Sequence, residues 1–149
     1  MEIVEIAMPD GGLAEAYVAR PRAESLTAQG DVVRTDLPGV LFYMDAIGLR
    51  PRIEQMAQRI ADWGYVVLAP NVFFREGLAA DLAPQRDLTE PGARQQFFAL
   101  ASPRVRRLGA PQAERDIPAY LKVLRDLKGV GHGAIGTTGY CMGARLAVR

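Results

Sequence analysis

The sequence predicts an α/β fold with a mostly parallel β-sheet, because continuous apolar runs alternate with segments of helical periodicity. Residues 38–44 and 65–69 are continuous apolar runs of strand length, which is typical of buried parallel strands, and the second run lies between Gly64 and Pro70. Apolar residues recur at helical spacing in 53–61 and again in 113–127. The alternation ends with a predicted strand at 134–138 and, after a tight turn, a predicted helix that begins near residue 142.

Other segments depart from this alternation. Residues 2–8 and 13–20 have apolar side chains at about every second position around the turn sequence of residues 9–12, which predicts a β-hairpin. Residues 21–36 are polar and are predicted to form a loop. Residues 71–110 show no clear period and are predicted to form short helices and loops over one end of the sheet. A segment of this length without a regular period is usually functional or mobile.

Composition and charge exclude several classes of protein. The 149 residues are 49% hydrophobic, and 18 basic residues nearly balance 17 acidic ones, so nucleic acid is not expected as a partner. There is no apolar run of membrane-helix length and no signal-peptide pattern, so we expect a cytoplasmic protein without a membrane partner. A single cysteine excludes an internal disulfide or a CxxC pair. The sequence contains no cluster of metal-ligand residues, so we expect neither a metal nor a cofactor.

The sequence Gly139-Tyr140-Cys141-Met142-Gly143 lies between the last predicted strand and the last predicted helix. Its G-x-C-x-G spacing fits the sharp strand-to-helix turn called a nucleophile elbow. The central residue of such a turn is strained and projects its side chain above the sheet, and glycine is needed where the flanking residues approach closely. The helix N-terminus beyond it lowers a thiol pKa and stabilises an oxyanion. The setting therefore predicts a nucleophile at Cys141 rather than a small core residue.

This elbow resembles that of the dienelactone hydrolase (carboxymethylenebutenolidase) family of the α/β-hydrolase superfamily, which uses a cysteine nucleophile. Residues 41–48 resemble the family's strand and oxyanion turn, and residues 63–73 resemble its helix-to-strand passage and the start of its lid. The resemblance spans about residues 13–149. It implies the N-terminal portion of a three-layer α/β-hydrolase domain over residues 1–149, in which residues 71–110 form a lid-like segment. It also implies hydrolysis of an ester or lactone, such as a dienelactone or a similar small carboxylated substrate, without a cofactor.

The same resemblance implies roles for individual residues. Cys141 matches the nucleophile, and the backbone N–H groups of Met142 and Ala46 match the two oxyanion donors. Asp45 falls where the family carries a glutamate that contacts the resting cysteine, and its alternative role is a helix cap. Arg94 falls near a family arginine that holds a substrate carboxylate, and its alternative role is a solvated surface side chain.

The family places its triad acid and histidine after the elbow, whereas this chain ends at Arg149, inside the helix that follows the nucleophile. We therefore expect a triad that is incomplete within these residues and one uncovered edge of the sheet. The only histidine, His132, precedes the strand that leads to the elbow. We expect it at the opposite end of that strand, as a loop or surface residue rather than a catalytic base.

Three other functions compete with this hypothesis. Residues 131–136 satisfy the G-x-G-x-x-G pattern of dinucleotide binding, but they follow a helix and lead into a strand, the reverse of the required order. A non-catalytic binding or assembly module stays open because the acid and the base are absent, and an esterase assay would distinguish it. A redox role for Cys141 would give reversible oxidation without ester turnover, and any disulfide would be intermolecular. The oligomeric state stays open.

Overall fold

The computed structural model describes residues 2–23 and 36–149, so most of the loop predicted at 21–36 lies outside the described residues. The strands in these ranges are β1 (Glu2–Ala7), β2 (Leu13–Ala19), β3 (Gly39–Tyr43), β4 (Val66–Pro70) and β5 (Gly136–Gly139). The helices are α1 (Pro51–Ala61), α2 (Ala79–Leu82), α3 (Ala93–Arg107), α4 (Ala110–Asp126) and α5 (Met142–Ala147). None of these helices is both long and apolar enough to cross a membrane.

The described strands form one mixed sheet in the order β1-β2-β4-β3-β5. The predicted hairpin is confirmed, with Ile6 opposite Ala14, and its second strand continues antiparallel onto β4. The predicted parallel part consists of β4, β3 and β5, in which Tyr43 lies opposite Gly139. Because β3 and β5 are parallel neighbours, the residues that follow the two strands leave the sheet at the same end, the carboxyl end of these strands.

Differences in burial explain why the strands in the two halves of the sheet have different hydrophobic patterns in the sequence. Every residue of β3 and β4 is buried, which accounts for their continuous apolar runs. In β1 only Ile6 is buried, which accounts for the alternating pattern of that strand. Helix α1 packs against β2 and β4, while α4 packs against β1, β3 and β4. β5 is the outermost strand on one side of the described sheet. Its exposed residues, Gly136 and Thr137, present no large apolar side chain there.

Residues 71–110 contain more helix than the sequence predicts. Helix α2 is a short element of four residues, but α3 continues for fifteen residues and has Pro103 in its interior. Only three residues of α3 are buried, namely Ala93, Ala101 and Arg104. A helix that buries so little has no clear apolar stripe, so its period is missing from the sequence although the helix forms.

A buried ion pair connects three separate segments of the fold. Both Nη atoms of Arg75, which follows β4, donate to the carboxylate of Asp116 on α4 at 2.7 Å. Asp116 is only 1% exposed, and Arg75 also pairs with Asp10 in the turn between β1 and β2. On the same face of α4, burial and then the negative charge of Asp116 raise the pKa of Tyr120. The guanidinium of Arg75 thus holds the hairpin turn and the segment after β4 on α4.

A matched pair of leucines tests the packing of α4 on the sheet. Leu124 is fully buried, and a Cβ built on Gly39 of β3 would lie 3.1 Å from its Cγ. Leu124→Ala should lower the free energy of unfolding by about 2–5 kcal/mol, because it removes these contacts and leaves a cavity. Leu100→Ala, at a position that is 75% exposed, should change it by less than about 0.5 kcal/mol. Urea denaturation followed by circular dichroism measures both, and equal losses would contradict this packing.

Candidate active site

The turn from β5 into α5 has the strained backbone that a nucleophile elbow requires. Cys141, the N-cap residue of α5, has φ 56° and ψ −118°. Within the described ranges it is the only residue other than glycine with a positive φ. A side chain in such a conformation costs about 1–3 kcal/mol, and strain of this kind clusters at functional sites. The Cys141 side chain is exposed, so no burial in a core accounts for its position.

The two glycines of the elbow are imposed by close backbone contacts. A Cβ on Gly139 would lie 2.3 Å from the carbonyl oxygen of Gly143. A Cβ on Gly143 would lie 2.3 Å from the carbonyl oxygen of Tyr43 and 2.4 Å from that of Met44. No side chain fits at such distances, because the added Cβ would overlap these oxygens. Non-bonded heavy atoms make their most favourable contacts at about 3.5–4.0 Å. The first turn of α5 is therefore in direct backbone contact with the end of β3.

This contact joins the two segments that carry the predicted oxyanion donors. Met142 begins α5, and an amide in the first turn of a helix has no acceptor within the helix. Ala46 follows two residues after Met44, whose carbonyl oxygen is in contact with the first turn of α5. Neither amide donates a backbone hydrogen bond to any residue in the described part of the chain. Two unused N–H donors on touching segments suit the stabilisation of a negatively charged oxygen beside Cys141.

The turn that carries Ala46 is held by an arginine. Arg50 Nη1 and Nη2 donate to the two carboxylate oxygens of Asp45 at 2.7 and 2.8 Å. Nη1 also donates to the Gly48 carbonyl oxygen at 2.9 Å, and the Ile47 N–H donates to Asp45 Oδ1 at 3.0 Å. Both side chains of the ion pair are about one-fifth exposed. Arg50 therefore anchors the turn on both sides of the Ala46 amide.

The structure does not bring the other predicted polar residues into contact with Cys141. No hydrogen bond joins Asp45 to Cys141 among the described residues, and the Asp45 carboxylate instead accepts hydrogen bonds from Arg50 and from the Ile47 N–H. Arg94 is exposed in the first turn of α3, with its guanidinium 5.1 Å from the centroid of the Phe98 ring. A catalytic role for Asp45 and a substrate-binding role for Arg94 stay predictions.

Two sequence features lie at the end of β5 opposite the elbow. His132 is exposed in the loop before β5, which is the position expected for it. Residues 131–136 run from that loop into β5, so they lack the strand-to-helix order of a dinucleotide fingerprint. Across the described ranges, no group of three or more potential ligand side chains comes close enough to hold a metal ion.

No motif in the sequence pointed to Arg50 or to the Arg75–Asp116 pair. Asp116 had a usable signal, because it shares one helical face with the buried residues Tyr120 and Leu124. A carboxylate on an apolar face needs a partner, and that requirement could have prompted a search for a cation. Arg50 offered a weaker signal, since it is separated from Asp45 by a turn whose shape the sequence does not specify.

A nucleophile elbow between a parallel strand and a helix, on a sheet of this order, defines the α/β-hydrolase class of folds. Comparison with known proteins gives the family, since the sequence pattern described as "Dienelactone hydrolase family" matches residues 23–149. The chain belongs to the dienelactone hydrolase family. Over 143 residues it is 25% identical to a "Putative carboxymethylenebutenolidase" of Methylorubrum extorquens, and the match covers 96% of this chain and 41% of that protein.

Two solved structures share the fold. One is named "m3DLH", with a TM-score of 0.61 and 22% identity, and the match covers 99% of this chain and 52% of that one. The other is a "Putative Dienelactone Hydrolase from Klebsiella pneumoniae subsp. pneumoniae MGH 78578", with a TM-score of 0.57 and 20% identity over 97% of this chain and 52% of that one. The chain thus spans about half the length of these structures and about two-fifths of its curated relative.

A matched pair of glycine variants tests the elbow contact. Gly143→Ala should lower the free energy of unfolding by about 3 kcal/mol or more, because the added Cβ overlaps the backbone of β3. Gly133→Ala should leave it unchanged or raise it slightly, since a Cβ there has no heavy atom within 4 Å and φ is not positive. Chemical denaturation of the two variants gives the comparison. A Gly143→Ala chain as stable as the unmodified protein would show that α5 does not approach β3 this closely.

The Arg50 anchor is testable by a charge-matched pair. Arg50→Gln should lower the free energy of unfolding by about 1–3 kcal/mol, because the partly buried Asp45 carboxylate loses its charged donor. Arg52→Gln, which removes an exposed arginine from the first turn of α1, should cost less than about 0.5 kcal/mol. Adding Asp45→Asn to Arg50→Gln should recover part of the loss. Thermal and urea denaturation measure all three, and equal effects of the two arginine variants would argue against the anchor.

Proposed function

We propose that this chain carries the nucleophile of a hydrolase that cleaves an ester or lactone bond in a small molecule. The observation that carries the proposal is the strained, exposed conformation of Cys141 at the start of α5. A core residue would gain contacts in return for such strain, whereas Cys141 gains access to solvent at the edge where β3 and β5 end. Membership of the dienelactone hydrolase family supports the same chemistry.

In the proposed reaction the Cys141 thiolate attacks the substrate carbonyl carbon. A C–S bond forms and the carbonyl oxygen becomes an oxyanion, which accepts hydrogen bonds from the Ala46 and Met142 amides. Each such donor is worth roughly 3 kcal/mol in comparable sites. Collapse of the intermediate breaks the C–O bond, the leaving alkoxide takes a proton, and the acyl group stays on sulfur as a thioester. Water then hydrolyses the thioester and restores the thiol.

The thiol must first lose its proton. Among the described residues, no side-chain base forms a hydrogen bond with the Cys141 thiol. The proposal therefore needs a general base, and family resemblance suggests a histidine other than His132. We propose a small carboxylated ester or lactone as substrate, with Arg94 as a partner for its carboxylate. Asp45 is proposed to act beside the resting thiol, which would require it to leave Arg50.

The first test is acyl transfer from p-nitrophenyl acetate. The unmodified chain should release p-nitrophenol and gain one acetyl group on the peptide that contains Cys141, as measured by mass spectrometry. Cys141→Ala should abolish both signals, because no other cysteine is present. Tyr140→Phe, at the neighbouring half-exposed position, should retain them and serves as the control.

The outcomes separate the steps of the mechanism. Acetylation without further turnover would support Cys141 as the nucleophile and locate the deficit in the base. Release of p-nitrophenol that persists in Cys141→Ala would contradict the proposal. A chain that resists acylation although an alkylating reagent modifies Cys141 would instead favour the non-catalytic binding or assembly role.

A further inference from the structure

A buried arginine of α3 lacks a counter-ion. Arg104 is 8% exposed, and the recorded hydrogen bond of its guanidinium is one of 3.3 Å from Nη1 to the Leu82 carbonyl oxygen. Its Cζ lies 5.4 Å from the centroid of the Phe73 ring. No carboxylate of the described residues comes within 4.0 Å of its nitrogens. A guanidinium has five N–H donors, so most of the donors of Arg104 have no protein partner among the described residues.

The other charges near Arg104 are already paired. Arg107 donates to both carboxylate oxygens of Glu76 at 2.7 and 2.6 Å. Arg75 is shared between Asp10 and the buried Asp116. The positive charge of Arg104 is therefore the unmatched one in this group of residues. Burial lowers the pKa of Arg104, and the charge of Arg107 lowers it further against the opposing effect of Glu76.

Arg104 lines a cavity of about 310 Å³ together with Arg75, Arg107 and Glu76. Phe73 and Leu108 supply apolar walls of the same cavity. Because Arg75 is paired with Asp10 and Asp116 and Arg107 is paired with Glu76, Arg104 contributes the unmatched positive charge at this cavity. Cys141, Ala46 and Met142 do not line this cavity, so it is separate from the proposed catalytic elbow.

We propose that this cavity binds a small oxyanion, a phosphate or a carboxylate, on the unused donors of Arg104. The planar guanidinium fork matches a pair of anion oxygens and can donate to both. Arg107, on the next turn of α3, adds attraction across the same cavity while it stays paired with Glu76. A bound anion would supply the counter-ion that the buried Arg104 lacks. This inference is independent of the proposed hydrolase function.

The test is an NMR titration of the isotopically labelled chain with sodium phosphate and, separately, with sodium acetate. Sodium chloride at the same ionic strength is the reference. Saturable shifts should be confined to Phe73, Glu76, Arg107 and the Arg104 amide and Nε–H signals. Arg104→Gln should weaken binding by about tenfold or more, which corresponds to the loss of a charge-assisted bidentate contact. Arg106→Gln, which removes an exposed arginine two residues away, should leave binding unchanged.

Each outcome decides the proposal. Saturation by either anion that depends on Arg104 supports it, and the comparison shows whether the site takes phosphate, carboxylate or both. Equal shifts with chloride, or equal weakening by Arg104→Gln and Arg106→Gln, would overturn it. If Arg104→Gln does not fold, the Arg104 Nε–H signal of the unmodified chain decides, because an unmoved signal at saturating anion would exclude the site.

Discussion

The backbone contact between the first turn of α5 and the end of β3 is the constraint on which the candidate site depends. Gly143 lies so close to the carbonyl oxygens of Tyr43 and Met44 that no side chain can be placed between them. With α5 held at this distance, the turn before it must reverse the chain within a few residues, and Cys141 takes the positive φ that results. The same contact brings the donor segment of α5 beside the turn after β3. A packed sheet could exist without this contact, but Cys141 and the two proposed oxyanion amides would then not be grouped.

Arginine side chains position the segments that connect the strands and helices. Arg50 anchors the turn after β3, and Arg75 joins the segment after β4 to α4 and to the hairpin turn. Partly buried ion pairs of this kind add little net stability compared with apolar packing, but removal of one partner is costly. They therefore specify where the segments lie more than they stabilise the fold. Arg104 departs from this rule because it is buried and no carboxylate of the described residues lies within 4.0 Å of its guanidinium nitrogens.

The fold was predictable where burial is complete, and the site only in part. β3 and β4 were placed to within about one residue, since strands buried on both faces leave uninterrupted apolar runs. The elbow was found because its close backbone contacts require glycines at a fixed spacing. Helix α3 was missed because it buries only three side chains. The partners of the Arg75–Asp116 pair are 41 residues apart in the sequence, so no local pattern connects them. Whether the Asp45 carboxylate binds Arg50 or Cys141 likewise depends on three-dimensional distances that no local pattern encodes.

The strain at Cys141 sets stability against chemistry at a single position. Glycine would adopt the same backbone angles without a steric penalty, so the residue that folds best there has no nucleophile. If Cys141 is the nucleophile, as proposed, selection for its sulfur would have to outweigh this steric penalty. If a lineage of this family lost its activity, drift toward glycine or asparagine would be expected at this position before the buried residues of β3 and β4 changed. The identity of this one residue could therefore report on whether a relative is still under selection for catalysis.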